Sequence, residues 1–417
     1  MSRDPFRNRS QTISSAKYTI SSYRRSVSNQ SDPGRRLSKT FSIQILENDQ
    51  DENDRKSLPN DDIFDEHQEL KREKKKLIRA SQKEDELLKA KYPRFGLEEY
   101  STIINDNLLA HNDPFSWEPL QSQVAGHGLN SDMKTNDVPG VMITTEGQIL
   151  KPVQESRGLS ERTNRGLTEV AFYSHIMKSE DPIDAKIRNC IPQFIGIEQF
   201  ESNVDGTRAI SNFLILEDIT GGFELPAVMD IKIGHKVYGP DASLEKRTRA
   251  DTHLWPTQKP CGFKISGILA HSLRSEDEGI LNVGGMVYSK KSFGQKLTPD
   301  TIWKVPEAFY DSEYSGKIEI VNNIFVPKLK TILEVFEMQN RYHIFGSSLL
   351  FTYDANAVRK FQNGKLSSKE LEHYVQLKLI DFANVYDAAG EKDENFVSGL
   401  RNLICLFESF SKPEKNI

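Results

Sequence analysis

The sequence is poor in cysteine: Cys190, Cys261 and Cys405 are the only three in 417 residues, widely spaced and with no CxxC pair. That excludes a disulfide framework and a cysteine-based zinc site, and fits a reducing compartment. Long apolar runs are missing too. The longest, such as Phe213 to Leu216, are strand-sized and far short of a membrane span. The first ten residues, MSRDPFRNRS, are polar and lack the apolar stretch of a secretory signal. Neither sign of charge prevails: 55 basic against 60 acidic residues leave a net charge of −5, so no global field points to nucleic acid or a membrane. What remains is a chain long enough for two core-forming units plus tails. The expectation is a monomeric globular protein of the nucleus or cytoplasm, with a disordered arm, no transmembrane segment and no nucleic-acid partner.

Residues 1–60 form that arm. They are rich in Ser, Arg, Asn and Asp and bury too little surface to offset ordering entropy. Arg24-Arg25-Ser26 and Arg35-Arg36-Leu37-Ser38 set serine beside paired arginines, as basophilic protein kinases prefer, though Ser/Arg-rich tails produce such matches by chance. The arm is a place where regulatory proteins would bind. Residues 61–114 read as a charged helix and linker, with good helix formers and no Gly or Pro over 62–91. The run Lys71-Arg72-Glu73-Lys74-Lys75-Lys76 fits a nuclear import signal and equally fits a solvated helix face. From residue 115 the texture becomes short strands and turns, then longer helices. GVMITTEGQILKPV reads as a hairpin around Glu146-Gly147. Residues 166–177 read as a helix with Leu167, Val170, Tyr173 and Met177 facing a core, and NFLILED as a buried strand ending in two acids. The order implies a small β-rich lobe followed by a larger mixed one.

Three segments carry residues suited to phosphoryl transfer. In PAVMDIKIG (226–234), alternation puts Ala227, Met229, Ile231 and Ile233 on one face of a strand. Val228, Asp230 and Lys232 take the other, with Asp230 and Lys232 about 6–7 Å apart. A carboxylate beside an ammonium can hold ribose or a developing phosphate charge; periodicity alone favours a half-buried strand with a solvated polar face. LKLIDFANV (377–385) delivers Asp381 at a strand end, where a metal-binding carboxylate commonly sits, although an Asp-Phe pair there usually marks only a turn. QILKPV (148–153) places Lys151 on an early strand, downstream of Gly126 and Gly128, with Glu169 on the next helix as an ion-pair partner. The layout of strand lysine, helix glutamate, acid-ended strand and late aspartate matches a protein-kinase-like nucleotide site. The H-R-D-x-x-x-x-N loop, the G-x-G-x-x-G loop and the A-P-E motif of protein kinases are all missing, so the nucleotide is shared and the acceptor is not a protein.

With these residues in view, the chain resembles the inositol polyphosphate kinases. Their signature P-x-x-x-D-x-K-x-G is met by Pro226, Asp230, Lys232 and Gly234. The resemblance continues in LEDIT (216–220), EKR (245–247), GFKISGI (262–268), SSLLFTYD (347–354) and IDFAN (380–384), over roughly residues 115–410. It implies an α+β, two-lobed fold akin to protein kinases, with ATP between an N-terminal lobe (115–220) and a C-terminal catalytic lobe (221–412). By the same resemblance, Glu217 and Ile219 would meet adenine through their backbones and Asp230 would bind the ribose hydroxyls. Lys151 would contact the phosphates, Asp381 would ligate Mg2+, and Lys232 would stand near the transferred phosphoryl and the attacking inositol hydroxyl.

The acceptor is polyanionic, and an insert at about 238–262 gathers Lys246, Arg247, Arg249, His253 and Lys259, with Lys264 just beyond. A helix would present Lys246, Arg249 and His253 on one face; a solvated helix with scattered basic residues is the plainer alternative. The insert is much shorter than that of trisphosphate 3-kinases. Pro240-Asp241-Ala242-Ser243 followed by Glu245-Lys246 looks most like inositol polyphosphate multikinases, and D-I-K-I-G departs from the D-L-K-M-G usual in hexakisphosphate kinases. A small, open acceptor site suits several soluble inositol phosphates and also a phosphoinositide headgroup. One departure is Asn384, where this pattern usually has His; Asn can donate a hydrogen bond to a substrate phosphate but carries no charge. The expected activity is ATP-dependent conversion of inositol tris- and tetrakisphosphates to a pentakisphosphate. The alternatives are a hexakisphosphate kinase making inositol pyrophosphates and a weakly active inositol phosphate- or lipid-binding adaptor. Retention of Lys151, Asp230, Lys232 and Asp381 together speaks against the adaptor.

Overall fold

In the computed structural model the described residues are 79, 82–96, 108, 117–120, 123–124, 140–154, 161–204, 207–252, 255–270, 280–283, 286–289, 291–310 and 319–410. The arm, the basic run at 71–76, Gly126, Gly128 and His253 lie outside them.

Two antiparallel sheets follow one another along the chain. Strands β1 (Trp117–Pro119), β2 (Met142–Thr144), β3 (Gln148–Pro152), β4 (Phe194–Val204) and β5 (Thr207–Glu217) form the first, in the order β1-β2-β3-β5-β4. The expected hairpin is β2–β3, and Gly147 takes the left-handed φ of +76° that its tight turn requires. Helix α1 (Glu161–Lys178) crosses behind this sheet with Leu167, Val170 and Tyr173 buried and Met177 packed at the core's edge. Helix α2 (Pro182–Cys190) starts where Asp181 caps it, accepting from Ile183 N at 2.8 Å, with Pro182 in the first turn.

The second sheet joins β6 (Pro226–Ile233), β7 (Phe263–Ala270), β8 (Ile280–Val283), β9 (Met286–Ser289), β11 (Ser348–Asp354) and β12 (Val375–Ile380) in the order β12-β11-β6-β7-β9-β8. Strands β10 (Tyr342–Ile344) and β13 (Val385–Asp387) make a separate pair. Helix α3 (Leu244–Thr252) lies in the loop between β6 and β7, and helices α4 (Val326–Met338) and α5 (Glu394–Phe410) pack behind the sheet. Residues 218–225 connect the sheets, so the chain passes from the smaller to the larger through one short link. Among the described residues, no helix is long and apolar enough to cross a membrane.

Alternation in β6 is obeyed on its inner face: Ala227, Met229, Ile231 and Ile233 are fully buried in the core. Its other face is not solvated, contrary to what periodicity alone favours. Val228 and Asp230 are buried, the latter only 5% exposed, because this face lines the cleft between the lobes.

A buried carboxylate ties α2 to the larger lobe. Asp184, fully buried, accepts from Ser179 Oγ at 2.6 Å, Arg341 Nη1 at 2.9 Å and Tyr342 Oη at 3.0 Å, with His175 Nε2 at 3.2 Å. Within the stretch that reads as charged helix and linker, residues 82–91 are helical. Residues 93–95 then run beside β13: Phe95 N donates to Val385 O at 3.0 Å, and Asp387 N to Pro93 O at 2.9 Å. The Phe95 ring meets Phe172, His175 and Tyr342 edge-on, at centroid distances of 6.0, 5.4 and 5.6 Å.

Candidate active site

The residues singled out in three distant segments converge in the cleft. Lys151 enters from β3, held by pairing of Lys151 with Leu214 across β3–β5. Its Nζ lies 2.7 Å from Glu169 Oε1 on α1 and 2.6 Å from Asp381 Oδ1, which follows β12. Lys232, from the central strand β6, stands 3.6 Å from the other oxygen, Asp381 Oδ2, and donates to the Gly346 carbonyl at 2.5 Å. Asp381 therefore bridges two ammonium groups.

Asp381 adopts an unusual backbone, with φ of +67°. That conformation costs roughly 1–2 kcal/mol for a residue with a Cβ, and it persists only where neighbours dictate it. Here the next residue is fixed on both sides: Phe382 N donates to Glu169 Oε1 at 3.1 Å, and the buried Phe382 ring packs on Phe172 at 4.5 Å and Tyr173 at 5.1 Å. The turn aims the carboxylate back into the cleft. Glu169 thus serves two ends, orienting Lys151 and anchoring the loop that carries Asp381.

The electrostatics follow from these contacts. Burial would raise the Asp381 pKa, but Lys151 and Lys232 outweigh it and hold the carboxyl well below the usual range. Burial would likewise discharge Lys151; Asp381 and Glu169 prevail and keep it protonated far into the alkaline range. For Asp230 the balance is reversed. Desolvation wins over the attraction of Lys232, and its pKa is raised. The hydroxyls of Ser348 and Ser266 face Asp230, yet its Oδ1 is left without a hydrogen-bond partner among the described residues. A buried carboxylate oxygen without a partner costs folding free energy unless a ligand completes it.

Ser266 reaches that position through a β-bulge. Asp230 pairs with Gly267 and Ile231 with Ile265, so Ser266 is the extra residue of β7. Gly267 is needed for close approach: a Cβ there would come 2.0 Å from the Val124 carbonyl oxygen. Val124 therefore covers β7 beside Asp230.

At the hinge, Glu217 pairs reciprocally with Gln193: Glu217 N donates to Gln193 O at 2.9 Å, and Gln193 N to the Glu217 carboxylate at 3.0 Å. Asp218 Oδ1 then accepts from Thr220 N at 2.9 Å, compacting the link around the buried Ile219. Asn384, three residues past Asp381, accepts from Phe345 N through its carbonyl, and its side-chain Oδ1 is buried without a partner among the described residues.

A second concavity of about 270 Å3 adjoins this centre, lined by Lys246, Arg249, Lys264, Gln258, Val237 and Ala250. Lys246 and Arg249 do share a face of α3, as their spacing predicts. Lys264 links the two sites, since it pairs directly with Lys232 across β6–β7 and its ammonium lies 4.9 Å above the Trp255 ring. Two basic residues of the insert do not join them. Arg247 turns away to the carbonyls of Ala242 (2.8 Å) and Pro240 (2.6 Å) and to Asp85, and Lys259 does not line the concavity. Sequence reasoning missed Gln258, the bulge at Ser266 and Arg165. Arg165 lies one helical turn before Glu169, with its buried Nε lacking a partner among the described residues; the four-residue spacing was the available signal.

Comparison with known proteins agrees with this geometry. A family model described as inositol polyphosphate kinase matches residues 213–408. Among curated relatives, inositol polyphosphate multikinase alpha of Arabidopsis thaliana is 29% identical over 296 residues, covering 68% of this chain and 92% of its own. Inositol polyphosphate multikinase beta of the same plant is 30% identical over 301 residues, covering 70% and 91%. Among solved structures, the inositol phosphate multikinase of S. cerevisiae, crystallised with ADP and Mn2+, superposes with a TM-score of 0.50 at 21% identity, covering 64% of this chain and 99% of that one. That likeness supports the two-lobed kinase fold seen here. With a relative matched along nine-tenths of its length and the signature residues gathered in one cleft, the chain belongs to the inositol polyphosphate kinase family, whose reaction is ATP-dependent phosphorylation of inositol phosphates.

Proposed function

We propose that this chain transfers the γ-phosphoryl group of ATP to hydroxyls of soluble inositol tris- and tetrakisphosphates, leading to a pentakisphosphate, with Mg2+ as the metal. The observation that carries the reading is the doubly paired Asp381, set between Lys151 and Lys232 and joined through Lys264 to a basic concavity. The multikinase names of its relatives support the breadth of acceptor.

Glu217 and Ile219, at the end of β5, offer backbone groups to adenine. Asp230 accepts from ribose hydroxyls, which would satisfy its orphan Oδ1. Lys151 grips the nucleotide phosphates. Among the described residues no group of three or more His, Cys, Asp or Glu is placed to hold a metal alone. That suits Mg2+, which binds through one or two carboxylates and takes its remaining ligands from phosphates and water; Asp381 is the carboxylate in position. Asp381 would hold the metal there, and the ion would supply positive charge to offset that of the transferred group. Lys232 neutralises the phosphoryl group in flight. Lys246 and Arg249 hold acceptor phosphates, and Asn384 offers its amide to the acceptor where an imidazole would bring charge. No covalent intermediate is required: positioning and charge neutralisation lower the barrier.

The test is incubation of the full chain with ATP, Mg2+ and inositol phosphates from tris- to hexakisphosphate, with products resolved by position. Conversion of tris- and tetrakisphosphates to pentakisphosphate supports the reading. Activity on hexakisphosphate alone replaces it with pyrophosphate synthesis, and ATP binding without turnover replaces it with an adaptor.

A further inference from the structure

The helix that carries Lys246 and Arg249 lacks the usual means of attachment. None of the nine residues of α3 is buried, so no apolar face fastens it to the protein. Polar contacts hold it instead, and at its start they lead to residues N-terminal to the kinase fold. Arg247 binds Asp85 of the helical segment 82–91 while gripping the carbonyls of Pro240 and Ala242. Asp241, between those two residues, is held bidentately by Arg94, at 2.7 Å from Nε and 3.0 Å from Nη2. At the far end of the helix Tyr238 Oη donates to Asp251 at 3.1 Å.

Arg94 is nearly enclosed, with a side chain 4% exposed. Its remaining Nη1 donates to the carbonyl of Ala383 at 2.7 Å, two residues past Asp381. One guanidinium thus touches both the start of the acceptor insert and the loop that presents Asp381. The segment bearing it is well fastened: 93–95 pair with β13, Phe95 fills an aromatic cage, and a Cβ on Gly96 would stand 2.2 Å from Ala171 Cβ. Lys91 and Tyr92 both bind Glu391 at 2.5 Å.

We infer that residues 82–96 form a strap that sets the acceptor helix relative to the metal-binding loop, with Arg94 and Asp85 as positioning residues for inositol phosphate binding. The inference rests on the reading of α3 as the acceptor site. Neither residue touches a substrate. Each fixes where the cations of α3 stand, so its loss loosens acceptor binding, while the nucleotide side keeps its shape because Asp381 remains tied to Lys151 and Lys232 and its loop to Glu169 through Phe382 N. Arg94 reads Asp241 through a planar fork that lysine cannot reproduce, so Arg94→Lys keeps the charge and loses the geometry.

The test measures kcat and KM for an inositol trisphosphate and for ATP in the full chain, for Asp85→Ala, Arg94→Lys and Lys246→Ala, with melting curves for each. We expect Asp85→Ala and Arg94→Lys each to raise the acceptor KM roughly three- to tenfold, with the ATP KM unmoved and the fold intact. The strap is overturned if Lys246→Ala raises the acceptor KM and the two strap variants do not. It is overturned too if they shift both KM values together with the melting temperature, the mark of a merely structural role. An acceptor KM unaffected by Lys246→Ala overturns instead the assignment of α3 on which the strap depends.

Discussion

Lys151 and Asp381 lie 230 positions apart in the chain and 2.6 Å apart in the cleft, and Glu169 holds Lys151 directly and the Asp381 loop through Phe382 N. The catalytic reading stands on that triangle and on Lys232, which reaches the other oxygen of the same carboxylate.

Asp381→Asn should lower turnover by about 10³-fold or more, because it removes the carboxylate proposed to hold the metal and the counter-charge for two lysines. Lys232→Ala should do the same. Product formation measured beside circular dichroism checks this: both variants remain folded, and turnover near the wild-type rate in either removes the assigned role.

Asp381 also makes stability depend on pH in a predictable direction. Its folded pKa is depressed, so its contribution is complete above the unfolded carboxylate pKa of about 3.9 and fades as pH falls through the lower folded value. Asp381→Asn should therefore melt below wild type at pH 7, and the gap should narrow below about pH 4. Melting curves across pH 3–8 provide the check.

Asp230 predicts the opposite sign. Its folded pKa is raised by burial, so its charge penalises folding above that pKa and costs nothing once pH falls below the unfolded value. Asp230→Asn should raise the melting temperature at pH 7 by about 2 °C or more while weakening ATP binding. Calorimetric titration with ATP analogue beside melting data tests both halves; a less stable variant that binds ATP normally would contradict them.

Lys246→Ala and Arg249→Ala should each raise the acceptor KM about tenfold with kcat for saturating acceptor little changed. Steady-state kinetics with each substrate varied in turn distinguish this from an effect on ATP, which would place the nucleotide, not the acceptor, against α3.

Much of the centre is legible in the chain itself because it depends on short-range regularities. Strand alternation sorts Asp230 and Lys232 from the core residues of β6, and the hairpin and the first long helix announce Lys151 and Glu169 through turn chemistry and helical period. What escapes is what long-range packing decides. Nothing local says that the outer face of β6 is covered, that Ser266 is an extra residue in its ladder, or that Arg247 turns from its basic neighbours toward Asp85, 162 positions earlier. Arg94 sits in a charged stretch of ordinary composition, and only the return of the chain along β13 makes it an enclosed fork.

The buried Asp184 bears on how such an enzyme can be governed. Many protein kinases are switched by swinging a helix so that its glutamate leaves the strand lysine. Here α2 follows directly on the helix bearing Glu169, and its fully buried carboxylate grips Arg341 and Tyr342 of the other lobe. Breaking those bonds would strand a charge in the interior, at a cost of several kcal/mol. Swinging the Glu169 helix away from Lys151 would therefore have to open the Asp184 cluster as well, so that contact is braced from the far side of the lobe junction.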